Sequence, residues 1–345
     1  MRWFWRRIGY AATRVGFPAG CLAIRVLPRK WIFFLSDVLA RIAFVLFRGF
    51  RTRSSTNVRL ALGHNLDGAK TGEIVRASLR NFFRSCVEVV GALESSIEAF
   101  CSEIPISGRE HLDAALAKGN GVIVLSAHLG NFFLIGTRLA GEGYITHLLV
   151  NQPKDRDFAR LMDDYRWQVR QRTIHARPRR EALNQLSLVL RRNELAVMIA
   201  DEYRKGNGIP VPLFGRTVQA RRGPATLALR TGAAIVPVCM VRQGDDSLKL
   251  IVEAELELIR SGENKVAIRE NTLRLTQWLE RTVRRYPDQW NWMNIRWSEN
   301  DGKALMNAQH YLKVSLQDTK PHNRKTFVIP SECEGSKRDF SRSRS

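Results

Sequence analysis

The sequence predicts an α/β protein built on a largely parallel sheet with helices covering it. Two observations carry the prediction. From residue 121 onward, short apolar runs alternate with segments of helical periodicity. The runs themselves, "GVIVLSA", "LAVMIA" and "AAIVPVCMV", are apolar throughout, as expected of strands buried on both faces.

The elements follow in order. Residues 71–93 place Val75, Leu79, Phe82, Phe83, Cys86, Val87 and Val90 on one stripe at helical spacing. A strand over 121–127 leads to a helix over "NFFLIGTRLAGEG", closed by glycine. Next come a strand at 145–150, helices at 156–172 and 180–193, and the strand at 195–200. A long loop over 203–223 precedes a short helix at 223–232 and a strand at 233–241. "SLKLIVEAELEL" reads as a further strand, and 270–286 as the last long helix. Residues 312–345 are polar and aperiodic, end in Ser/Arg, and are expected to form a disordered tail.

The charge balance bounds the partners. Against 33 Asp+Glu stand 55 Lys+Arg, a formal net charge of +22, which attracts polyanions: nucleic acid, anionic membrane lipid or an acidic carrier protein. Five scattered cysteines without a C-x-x-C pair point to neither a zinc site nor a disulfide framework. Residues 1–53 hold eleven Lys/Arg and one acid, Asp37, among aromatic and apolar residues. Trp31–Phe47 comes nearest to a membrane span, but Asp37 and Arg41 interrupt it. The segment is expected to be an amphipathic helix lying in the membrane interface, or a marginal single span, with a buried helical hairpin as the bland alternative. "FPAGC" is a weak lipoprotein-type cleavage pattern, spoiled by Arg14 and Pro18. The expected organisation is therefore an anchoring segment at 1–53, a domain at 54–311 and the tail at 312–345.

Ligands of parallel α/β sheets bind beyond the carboxyl ends of the strands. There the first buried run delivers His128, followed by Gly130 and Asn131. "LAVMIA" delivers Asp201 and Glu202, and "AAIVPVCMV" delivers Arg242. A base, two carboxylates and arginines on one edge suit transfer to a hydroxyl. A satisfied structural histidine is the competing reading. Arg166, Arg204, Arg216, Arg221, Arg222 and Arg242 are candidates for anionic groups, because guanidinium pairs bidentately with phosphate. No Walker loop, dinucleotide fingerprint or HExxH occurs, so no cofactor or metal is expected, nor is any nucleic-acid module recognisable.

Four stretches together resemble one family. They are "NVRLALGHN", "GVIVLSAHLGNF", the block "ADEYRKGNGIPVPLFGRTVQARRGPATLALRTGAAIVPV", and "WNWMNIRW". Between Trp31 and Trp297, in order and spacing, the chain resembles the bacterial lipid A biosynthesis acyltransferases of the lysophospholipid acyltransferase superfamily. The resemblance implies a glycerol-phosphate-acyltransferase-like fold and a monomer at the cytoplasmic face of a bacterial inner membrane. It also implies acyl transfer from acyl carrier protein or coenzyme A, as cosubstrate, to a hydroxyl of a lipid A precursor or related glycolipid. It implies His128 as the base, with Gly130, Asn131, Phe214 and Gly215 about the substrate. The family's motif is His, four residues, then Glu or Asp. Here that position is Phe133. Three answers are open: His128 acts unaided, Asp201 or Glu202 supplies the carboxylate from a neighbouring strand, or the protein is a weakened relative that binds lipid or a partner. In the bland version, Asp201 caps a turn and Glu202 pairs with an arginine.

Overall fold

The computed structural model describes residues 16, 19–63, 66–153, 155–203, 208–293, 295 and 297. A helical stretch α1 (residues 19–26) is followed by α2 (Arg29–Leu46), α3 (Arg48–Leu62), α4 (Gly68–Glu94) and α5 (Ile97–Ser102). The sheet begins at β1 (Ile106–Ser107), followed by α6 (Arg109–Leu116), β2 (Val122–Ser126), a 3-10 turn (Phe132–Leu134) and α7 (Ile135–Gly141). Then come β3 (Thr146–Val150), α8 (Arg156–Gln168), β4 (Arg172–His175), α9 (Arg179–Arg191) and β5 (Leu195–Ile199). The chain continues through β6 (Ile209–Leu213), β7 (Arg216–Ala220), α10 (Gly223–Thr231), β8 (Ala234–Arg242), β9 (Leu248–Val252) and α11 (Asn264–Arg285).

Seven strands form one sheet in the order β1-β9-β8-β2-β5-β3-β4, and β6 and β7 form a separate ribbon. All neighbours in the large sheet are parallel except β8 and β9. Alternate side chains of each central strand enter different cores, because successive residues point to opposite faces. Ile123, Leu125, Ala196 and Ile235 pack with Leu186, Leu227, Trp278 and Leu279 of α9, α10 and α11. Val122, Val124, Val197 and Val236 pack with Leu112, Ile135 and Leu139 of α6 and α7. Two cores on one sheet are the reason the central strands β2, β5 and β8 are apolar along nearly their whole length.

Four details depart from the sequence expectation. The helix expected over 156–172 stops at Gln168; Arg170 turns at φ 58, and 172–175 form the edge strand β4. The expected loop at 203–223 holds the β6–β7 ribbon. Pro210 and Pro212 disguise it, yet both fall at positions whose N–H the ladder does not use. The strand expected over 247–258 ends at Val252 and runs antiparallel, and beyond it Glu253 and Leu256 donate single main-chain bonds to Pro237 and Ile235. The helix expected over 131–143 opens as a 3-10 turn. The tail at 312–345, Arg204 and the first fifteen residues lie outside the described residues.

No described helix is long and apolar enough to cross a membrane, and the single-span alternative for Trp31–Phe47 is not confirmed. Instead α2 packs on α4 through a small-residue face, Ser36, Ala40 and Ala43, with Ile32. Asp37 turns inward too, where Arg84 of α4 meets it with bonds of 2.8 and 2.7 Å. The opposite face leaves Trp31, Phe34, Leu39, Ile42, Val45 and Phe47 exposed. Helix α3 runs without a break across the expected boundary at 53/54.

Candidate active site

His128 and Asp201 emerge side by side. Ser126 of β2 pairs with Ile199 of β5, so two further residues on each strand bring the histidine and the aspartate level beyond the sheet edge. Asp201 Oδ1 lies 2.7 Å from His128 Nδ1. Its Oδ2 accepts the His128 main-chain N–H at 2.9 Å and the Trp290 indole N–H at 2.7 Å. Asp201 is wholly buried, whereas the imidazole keeps 21 % of its surface exposed. Burial alone would raise the Asp201 carboxyl, but the adjacent imidazole and these three hydrogen bonds hold it below its ordinary value. Burial likewise pulls the imidazole down, and the Asp201 charge and hydrogen bond, with Glu202 as a smaller contribution, outweigh it and leave His128 raised. Nδ1 is therefore occupied, and Nε2 is the nitrogen left to accept a proton.

The turn after His128 is held from several sides. A strap at 289–291 crosses it: Asn291 N–H donates to His128 O at 2.9 Å and Gly130 N–H donates to Gln289 O at 3.0 Å. Gly130 sits at φ +59, and a Cβ there would stand 1.9 Å from Met240 O. Gly130→Ala is accordingly expected to cost at least ~1–3 kcal/mol from the left-handed conformation alone, with the backbone contact added; a denaturant melt of the purified variant measures it. Asn131 is fully buried and donates to Glu88 Oε2 at 2.8 Å. Phe132 stands edge-on to the imidazole with centroids 4.8 Å apart. Phe133, at the motif's acid position, packs against Phe132 and Phe82.

The remaining candidates are scattered. Glu202 lies 3.9 Å from Arg221 and only its charge reaches the imidazole. Phe214 and Gly215, at φ 51 and 72, form the two-residue turn between β6 and β7. Left-handed backbone is costly for phenylalanine. Here Glu280 accepts the Phe214 N–H at 2.7 Å, and the ring packs 6.2 and 6.3 Å from Trp290 and Trp292. Phe214 thus supports Trp290, and through it Asp201. Arg216 lies 6.0 Å from the Trp297 ring, and Arg222 is exposed at the N-terminus of α10. Arg166 pairs with Asp163 of its own helix beside β4, three strands from β2 and so roughly 14 Å across the sheet; the structure does not bring it to His128. Arg242 is not a free anion ligand either: its guanidinium is buried and bound twice by Glu88.

Sequence reasoning missed Trp290 and Glu88 as parts of the site. The signal for Trp290 was present in "WNWMNIRW". The same motif meets the entry segment: Asn57 donates to Trp292 O at 2.7 Å and accepts from Trp297 Nε1 at 2.9 Å.

The comparisons with known proteins agree on one chemistry. Phosphatidylinositol mannoside acyltransferase of Mycobacterium tuberculosis (strain ATCC 25618 / H37Rv) is 28% identical over 232 residues, 66% of this chain and 72% of its own length. The protein of the same description from Mycolicibacterium smegmatis (strain ATCC 700084 / mc(2)155) is 24% identical over 294 residues, 84% of this chain and 93% of its own. The family model for bacterial lipid A biosynthesis acyltransferase matches residues 7–299, and the chain belongs to that family.

Proposed function

We propose that this protein transfers a fatty acyl group from an acyl thioester to a hydroxyl of a glycolipid. The observation that carries the reading is the His128–Asp201 hydrogen bond, which leaves Nε2 free at the carboxyl edge of the sheet. Nε2 takes the proton of the acceptor hydroxyl as its oxygen attacks the thioester carbonyl. The tetrahedral intermediate collapses, the C–S bond breaks, and the leaving thiolate takes the proton back from the imidazolium. Asp201 steadies that imidazolium and fixes the ring's orientation. The alternative of a weakened, binding-only relative rests on Phe133, and a carboxylate already on the imidazole favours transfer over it. Acyl carrier protein and coenzyme A are the donors to compare. Lipid A precursors and, given the relatives, mannosylated phosphoinositides are the acceptors. Transfer of radiolabelled acyl chain from either donor, followed on thin-layer plates, tests the reading; failure with both donors and both acceptor classes rejects it.

The site works at a lipid surface in this proposal, the cytoplasmic face of the inner membrane. The exposed face of α2 is apolar, and Arg29, Lys30, Arg41 and Arg48 lie along or beside it. That combination suits an anionic interface. Because α2 packs on α4, deleting it would also uncover the domain, so point changes are the cleaner test. Phe34→Asp together with Leu39→Asp is expected to lower binding to anionic vesicles by more than about tenfold, since each removes an insertion worth roughly 1.5–3 kcal/mol. Added salt should weaken what binding remains. Sedimentation with the vesicles measures both, and unchanged sedimentation would place the contact elsewhere.

A further inference from the structure

The turn carrying His128 is tied to α4, and α4 to α2, by one connected set of charges. Glu88 of α4 accepts two bonds from Arg242, at 2.7 and 2.8 Å, and one from Asn131 at 2.8 Å. Arg242 Nε donates to Asn81 Oδ1 at 3.0 Å, and the Asn81 amide donates to Gly130 O at 3.3 Å. Arg242 Nη1 also reaches the main-chain oxygen of Asp246 at 3.2 Å, and the Asp246 carboxylate pairs with Arg84. Arg84 closes the set on α2 through its two bonds to Asp37. Phe33, one turn before Asp37, lies 5.0 Å from the Arg84 guanidinium and 5.9 Å from that of Arg242.

The side chains of Arg84, Glu88 and Arg242 are 8 %, 6 % and 7 % exposed. Charges so buried are tolerated only with all their partners in place, so a displacement of one member is felt by the rest. The ends of the set are informative. One end is the main chain of Gly130 and the side chain of Asn131, two and three residues from the imidazole. The other is Asp37, the single acid of residues 1–53, on the helix whose far side is apolar and exposed.

We propose that this network couples the seating of α2 to the geometry of the His128 turn, so that Glu88 and Arg84 are positioning residues for acyl transfer and α2 is a working part of the site. This rests on the role proposed for His128. A small rotation of the turn swings Nε2 away from the acceptor hydroxyl while leaving substrate contacts elsewhere intact. The effect belongs in kcat, not in KM.

Full-length Glu88→Gln, Asp37→Asn and Asp37→Glu are to be compared with the unaltered chain. Melting curves report folding, steady-state transfer reports kcat and KM, and 15N NMR of the His128 ring reports which nitrogen is protonated. Glu88→Gln is expected to lower kcat by roughly 10²-fold and Asp37→Asn by about tenfold, the scale of sub-ångström to 1 Å misplacement, with KM within about twofold. The ring signals should move in the same order, and Asp37→Glu, which keeps the charge, should retain most of kcat. A folded Glu88→Gln with unchanged kcat and unchanged ring signals overturns the proposal, as does a loss confined to KM. If Glu88→Gln does not fold, Asp37→Asn decides by the same readouts, because it alters a partly exposed group. If the ring signals move while the unaltered chain transfers no acyl group, the coupling stands and the proposed chemistry falls.

Discussion

His128→Ala is expected to reduce transfer by roughly 10²–10⁴-fold, the usual contribution of a positioned general base. The fold should persist. The main-chain N–H and C=O of residue 128 keep their partners in Asp201 and Asn291, and the imidazole is not part of either core. A folded variant that transfers at the original rate would remove His128 from the mechanism.

Asp201→Asn is expected to cost a comparable 10²–10⁴-fold, because an amide can no longer fix the tautomer or steady the imidazolium. It is nearly isosteric and still offers an oxygen to Trp290. Glu202→Gln should matter far less, since that carboxylate faces Arg221. Phe133→Glu should not raise the rate; its ring packs against two other phenylalanines, and the imidazole already has its carboxylate. A strong gain from Phe133→Glu with no loss from Asp201→Asn would show His128 working alone.

The pair also sets a pH dependence. Folding favours the protonated imidazole, so its contribution to stability is full below about 6.5, the ordinary histidine value, and is lost as pH rises through the raised folded value. Folding favours the ionised Asp201, so that contribution is present above 3.8, the ordinary aspartate value, and is lost as pH falls through the lowered folded value. Stability from the pair is greatest between these limits. In the proposed mechanism the neutral ring is the base, so kcat/KM is expected to rise through an apparent pKa above 6.5. Asp201→Asn should move that midpoint downward, because burial is then the dominant influence left on His128. A pH–rate profile of the two proteins tests both statements.

Much of this was legible in the sequence. Strands buried on two faces announce themselves as continuous apolar runs, and parallel strands put their last residues on one edge. That is why His128 and Asp201 could be named together. What stayed hidden was set by tertiary context. β4 is four residues long, with an exposed arginine at its start, too short to show a pattern. The β6–β7 ribbon was masked by two prolines that are harmless at their particular register. Arg242 looked like a ligand for anions because its partner, Glu88, is 154 residues away in the chain. Asp37 looked like a flaw in an apolar helix because nothing local reveals that it points at Arg84.

The strap at 289–291 has a consequence for the order in which the protein is made. Asp201 and His128 lie in the first 201 residues, and the sheet that aligns them is complete once β8 and β9 have emerged. Their clamp comes later. Trp290, 89 residues beyond Asp201, is the last donor to reach the carboxylate, and the same strap pins the His128 and Gly130 main chain. A nascent chain halted before Trp290 would hold a buried carboxylate with one donor missing and a loose histidine turn. On this order of emergence the sheet carrying His128 and Asp201 is expected to form before the strap that clamps them. Ribosome-stalled chains with residues 289–291 still inside the exit tunnel and fully emerged from it, exposed to a histidine-modifying reagent, should differ in the protection of His128; equal protection would refute this order of assembly.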